Sequence, residues 1–141
     1  MTDSSELLAT GDRVELRFPP RDDLIVLARL VTSAISARAG FDIEELEDLR
    51  LAVGELCLLT LQGSDARHGD LCLTLTVLPD AIGVVCTLEG ASAAGAVAPE
   101  GEEAARLSEQ ILDALVDEHG RESQDGSVRA WLRKRREGHA A

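Results

Sequence analysis

Glu55 stands in the run Leu49-Arg50-Leu51-Ala52-Val53-Gly54-Glu55-Leu56-Cys57-Leu58-Leu59-Thr60-Leu61, a carboxylate set among apolar residues. Removing an unpaired carboxylate from water is costly unless its pKa shifts or a partner holds it, so such a residue is either an acid–base group or a tethered one. A helix places the side chain four residues on one turn later on the same face. The residue there is Leu59, which neither ligates a metal nor hydrogen-bonds. Glu55 therefore reads either as a catalytic acid without its companion, or as a helix glutamate that reaches the surface or pairs with an arginine such as Arg50 or Arg67.

Other site chemistries find little support. The chain has no Gly-x-x-x-x-Gly-Lys and no Gly-x-Ser-x-Gly, and His68, His119 and His139 are scattered. Cys57, Cys72 and Cys86 form no Cys-x-x-Cys pair and lie in apolar stretches, so they read as small core residues rather than as a zinc or disulfide framework. A formal charge of -12 argues against nucleic acid, whose phosphates need a basic face, and favours basic protein partners. The basic cluster Arg133-Lys134-Arg135-Arg136 reads as a solvated tail. The first residues carry no basic, apolar leader and no stretch approaches the roughly 20 apolar residues that span a bilayer, so a cytoplasmic protein is expected.

The elements that would position Glu55 follow from hydrophobic period. Arg13 to Phe18 alternates as a half-buried strand, closed by Pro19-Pro20. Arg21 to Arg38 places Leu24, Leu27, Val31, Ala34 and Ile35 on one helical stripe, and Gly40 stops that helix. Asp42 and Glu45 form a capping-box pattern for a second helix from about Ile43 to Leu61 or Gln62. Residues 63–69 read as a loop, 71–77 and 81–88 as a hairpin turning at Pro79-Asp80, and Glu89 to Gly101 as a loop. A third helix is predicted over Glu102 to Glu118, ending at His119-Gly120, and a last strand over Ser127 to Leu132.

Every strand has one apolar and one more polar face, which predicts an α/β two-layer sandwich with three helices on one face of a single sheet of four or more strands, antiparallel or mixed. The 141 residues fit one domain at 13–135, between flexible ends at 1–12 and 136–141.

The run Asp48-Leu49-Arg50-Leu51-Ala52-Val53-Gly54-Glu55-Leu56-Cys57 resembles the signature helix of bacterial anti-sigma regulatory factors, serine-protein kinases of the GHKL or histidine-kinase-like ATPase superfamily with the Bergerat fold. The resemblance extends over most of the chain, from about Val14 to Arg135. In active members that helix carries Glu-x-x-x-Asn, the Glu a general base and the Asn a magnesium ligand. The resemblance makes Glu55 a vestigial general base and puts Leu59 in the ligand's place, where magnesium needs a hard oxygen. The family's Asp-x-Gly, whose Asp reads the adenine amino group, falls on Leu88-Glu89-Gly90; Leu88 cannot accept that bond, and Glu89 would do so only if the strand slipped by one residue. Ala104-Ala105-Arg106-Leu107 departs from the Gly-rich turn that cradles phosphates, and Gly95 lies in the lid region with Gly101.

The resemblance thus implies a kinase fold with damaged ATP motifs: an anti-sigma-factor-like dimer that sequesters an alternative sigma factor and is released by an anti-anti-sigma partner of STAS type. No cofactor is expected on that reading, and Arg21, Asp22, Arg29 and Ser33 on the first helix are its partner-binding candidates. The alternative is an active serine-protein kinase using ATP and magnesium to phosphorylate its antagonist, with Gln62 or Asp65 supplying the missing ligand.

Overall fold

In the computed structural model the order of elements is β1 (Arg13–Phe18), α1 (Asp22–Arg38), α2 (Ile43–Leu61), β2 (Asp70–Val77), β3 (Ala81–Glu89), α3 (Pro99–Leu115), β4 (Glu118–Gln124) and β5 (Ser127–Arg135). The structure describes residues 11–62, 69–89, 99–124 and 127–137. The strands form one antiparallel sheet in the order β1-β2-β3-β5-β4, whose apolar face the three helices cover. The predicted two-layer α/β sandwich is the observed architecture. No helix of the described residues is long and apolar enough to cross a membrane.

Period-two alternation explains the sheet. Leu71, Leu73, Leu75 and Val77 of β2 and Ile82, Val84, Cys86 and Leu88 of β3 point to the helices, while Cys72, Thr74, Thr76, Gly83, Val85 and Thr87 form the other face. α2 is the central helix, packed on β3, β5, α1 and α3. Its Leu49, Ala52, Val53, Leu56, Cys57 and Leu59 have no exposed surface, and each such leucine contributes about 2 kcal/mol by leaving water. The capping box is present in full: the Glu45 amide donates to Asp42 Oδ1 at 2.8 Å and the Asp42 amide to Glu45 Oε1 at 2.9 Å. The second Glu45 oxygen accepts the Glu137 amide, and Arg136 donates to the Ala39 carbonyl at 3.1 Å, so the chain is still held at both residues.

Three expectations are corrected. The buried face of α1 is Ile25, Ala28, Thr32, Ile35 and Ser36, one residue round from the predicted stripe, and Leu27 and Ala34 are exposed. Small residues let α1 lie close to α2, and the Thr32 hydroxyl is satisfied by the Ala28 carbonyl at 2.7 Å, so a polar side chain is buried there without penalty. α3 starts at Pro99, a residue suited to a helix's first position, and ends at Leu115 instead of Glu118. Glu118 to Gln124 is then an edge strand, paired to β5 alone, with no apolar alternation to reveal it.

Candidate functional site

α2 carries Glu55 toward α3. The residue is half-buried, and the buried Ser108 of α3 donates its hydroxyl to Glu55 Oε1 at 3.2 Å. Neither Arg50 nor Arg67 is its partner among the described residues: Arg50 pairs with Glu47 at 2.5 Å, and Arg67 lies outside them. Sequence reasoning misses Ser108, because a serine on a helical stripe carries no signal until its neighbour is known.

One turn on, Leu59 is fully enclosed at 0% exposure. Leu88 joins it in the same core from β3, with 3% exposed. These are the two positions at which the resemblance puts a metal ligand and an adenine acceptor, and both carry isobutyl groups, which have no ligating or hydrogen-bonding atom. The one-residue slip that would turn Glu89 inward does not occur. β2 and β3 pair Leu71 with Leu88 and Asp70 with Glu89, so Glu89 lies on the open face, where Arg17 Nη2 donates to it at 2.7 Å. Ala104 to Leu107 sit inside α3 and not in a turn, with Ala105 buried and Arg106 and Leu107 exposed. Gln62 caps α2, half-buried; Asp65, Gly90 and Gly95 lie outside the described residues, and Gly101 falls within α3.

The α1 candidates divide. Arg21 caps the helix and grips Asp23 through two bonds of 2.7 and 3.2 Å, which holds the Asp23 carboxyl below its usual range, while Asp22 is simply exposed. Ser33 is half-buried and donates back to the Arg29 carbonyl at 3.1 Å. Arg29 crosses to α2, where its guanidinium lies on Gly54: a Cβ there would stand 2.5 Å from Nε and Nη2. Its buried Nε has no hydrogen-bond partner among the described residues. Beside it, Val26, Leu27 and Leu30 are 47%, 43% and 60% exposed. Their signal is present in the sequence, since α1 has more apolar positions than one helical face can bury.

No family model matches the chain. Curated relatives do. The serine-protein kinase RsbW of Bacillus pumilus (strain SAFR-032) is 30% identical over 87 residues, 59% of this chain and 54% of the relative. RsbW of Bacillus subtilis (strain 168) is 29% identical over 84 residues, 58% and 52% of the two chains. A crystal structure of the RsbU and RsbW domains of Rv1364c from Mycobacterium tuberculosis aligns with a TM-score of 0.62, covering 90% of this chain and 33% of that one at 14% identity. Over these spans the chain is similar to RsbW, and the solved structure shares its fold. The chain spans about half the length of the curated RsbW chains it matches, and the solved structure speaks for the fold alone. Glu55 presents a carboxylate on α2, while the apolar Leu59 and Leu88 are locked into the core.

Proposed function

We propose that the chain is an anti-sigma-factor-like regulatory module that binds an alternative sigma factor and yields it to an anti-anti-sigma protein, and that its nucleotide site is degenerate. The observation that carries this reading is the complete burial of Leu59. Magnesium takes near-octahedral oxygen ligands and parts reluctantly from water, and a sealed leucine offers it neither oxygen nor room for a hydrated ion. Among the described residues, Leu59 and Leu88 do not suit the ATP–magnesium pair, which supports the reading of a degenerate site. The surface that supports binding is α1, where Arg29, whose buried Nε has no hydrogen-bond partner among the described residues, stands beside exposed aliphatic side chains: the Arg29 guanidinium for a carboxylate of the partner, Val26, Leu27 and Leu30 for its apolar contacts.

The competing reading is an ATP- and magnesium-dependent serine-protein kinase, and the retained Glu55 favours it, as do the relatives' names. Two measurements separate the readings. Calorimetry with ATP and magnesium is expected to give no heat and no thermal shift at millimolar nucleotide; binding that Glu55→Ala abolishes would establish the kinase instead. Pull-down of the sigma factors of its own genome is expected to capture one of them, with capture lost in Arg29→Glu, and failure to bind any of them sinks the regulatory reading.

A further inference from the structure

The face of the sheet away from the helices is hollowed near its centre. One rung of that face runs from β1 to β4 through Arg13, Thr76, Gly83, Arg133 and Glu118, and the next through Glu15, Thr74, Val85, Trp131 and Gly120. Two glycines shape the surface. Because Gly120 has no side chain, the Trp131 indole folds back over β4: a Cβ there would stand 2.7 Å from Nε1 and 2.8 Å from Cε2 and Cζ2. At Gly83 the same lack opens the floor, since a Cβ would meet nothing nearer than Leu78 Cδ1, at 3.7 Å. The hollow that results holds about 500 Å³, within the roughly 300–1,000 Å³ of small-molecule sites. It lies on the opposite side of the sheet from Leu59 and Leu88, which face the helices.

The lining divides by chemistry. Trp131 offers an aromatic face, and Leu78 and Val85 offer aliphatic walls. Thr76 and Arg133 flank Gly83 on its own rung, so a hydroxyl and a guanidinium, both donors, border the open floor. The buried Nε of Arg133 has no acceptor among the described residues, so seating the guanidinium on a ligand breaks no bond at that nitrogen. Charge on the rung favours an anion. Arg13 stands beyond Thr76, about 14 Å from Arg133 at a strand spacing of about 4.8 Å, and Glu118 at the far end balances one of the two arginines. On the other side of the ring, Arg129 and Glu122 lie 3.8 Å apart and offset each other. One positive charge is thus left over in a chain whose net charge is -12.

We propose that this hollow is a binding site for a small aromatic carboxylate. The ring of the ligand lies over Gly83 between Trp131 and Leu78, and its carboxylate takes the Arg133 guanidinium and the Thr76 hydroxyl. The ring gains apolar contact and stacking, while the carboxylate supplies the charge that the rung lacks. Glu118 competes for Arg133 from β4, so the site is a weak one. A ligand as small as benzoate is expected to bind with a Kd of about 1 mM.

Trp131 is the single tryptophan and the chain has no tyrosine, so its emission reports on this place alone. The test is titration of the full chain with benzoate, benzamide, cyclohexanecarboxylate and acetate, read by that emission. Benzoate is expected to change it saturably, and the other three to act at least tenfold more weakly. Arg133→Gln is expected to erase the preference for benzoate over benzamide. Gly83→Leu fills the floor at a position where a side chain has room, and is expected to abolish the response to benzoate with little change in thermal midpoint. Circular dichroism checks that each variant folds, and Arg133→Gln decides the matter if the leucine chain does not. A response that fails to saturate, or that survives Gly83→Leu in a folded chain, overturns the proposal. Equal binding of benzamide, of cyclohexanecarboxylate or of acetate overturns it too, by showing that the charge or the ring is not read. The proposal does not rest on sigma-factor binding, and either can fail without the other.

Discussion

A leucine at position 59 fills volume and offers no oxygen. Because it is wholly enclosed, replacing it by asparagine exchanges apolar packing for an amide with no partner prepared. Leu59→Asn is expected to destabilise the fold by about 3 kcal/mol, read as a lowered urea midpoint with an unchanged slope. It is not expected to create ATP binding, since Leu88 still closes the second position. An asparagine accepted at under about 1 kcal/mol together with nucleotide binding would mean that the site is only one residue from competence. Glu55 shows the opposite economy: its carboxylate is retained and half-buried, and the Ser108 hydroxyl holds it in place.

Between elements, the Arg29 guanidinium of α1 fills the space on α2 that a side chain at Gly54 would take. A methyl there would collide with the Arg29 guanidinium, the movable end of a long side chain, rather than with backbone. Gly54→Ala is therefore expected to keep or slightly raise stability, by up to about 1 kcal/mol from helix propensity, while pushing Arg29 off α2. Its signature is an unchanged or higher thermal midpoint together with altered partner capture; a loss above about 2 kcal/mol would show that the guanidinium is structurally required. This scale also shows why the sequence is readable in part. The capping box of α2 depends on two residues three apart and is legible, as are the alternating strands β1, β2 and β3. The face of α1 is not, because Ala28, Thr32 and Ser36 are buried by virtue of small size, which hydropathy does not register. Nor is β4, an edge strand of polar residues that leave no period to find.

Across the whole molecule, Glu45 links distant parts of the chain: one oxygen closes the capping box and the other holds the Glu137 amide, 92 residues away. Glu45→Ala frees both amides, and a loss of about 1 to 3 kcal/mol is expected, with faster amide exchange at Asp42 and Glu137. Unchanged exchange at Glu137 would show that the Arg136 contacts with Ala39 and Asp80 hold that segment by themselves. The candidate nucleotide positions Leu88 and Glu89 read least well at this scale. A strand's register decides whether Leu88 or Glu89 faces the helices, and that is a property of pairing with β2 that one strand's composition does not contain.

The sheet order β1-β2-β3-β5-β4 carries a further consequence, in the time a ribosome takes to make the chain. β5 is the last of the five strands in chain order and sits between β3 and β4, which among the described residues join the sheet to one another only through it. Until it emerges, β4 has no partner in the sheet and β3 presents a bare edge of the kind that recruits other chains. The final strand thus works as a closing bolt, making completion of the sheet late and all-or-none, so the half-made protein depends more on protection from aggregation than the finished one does.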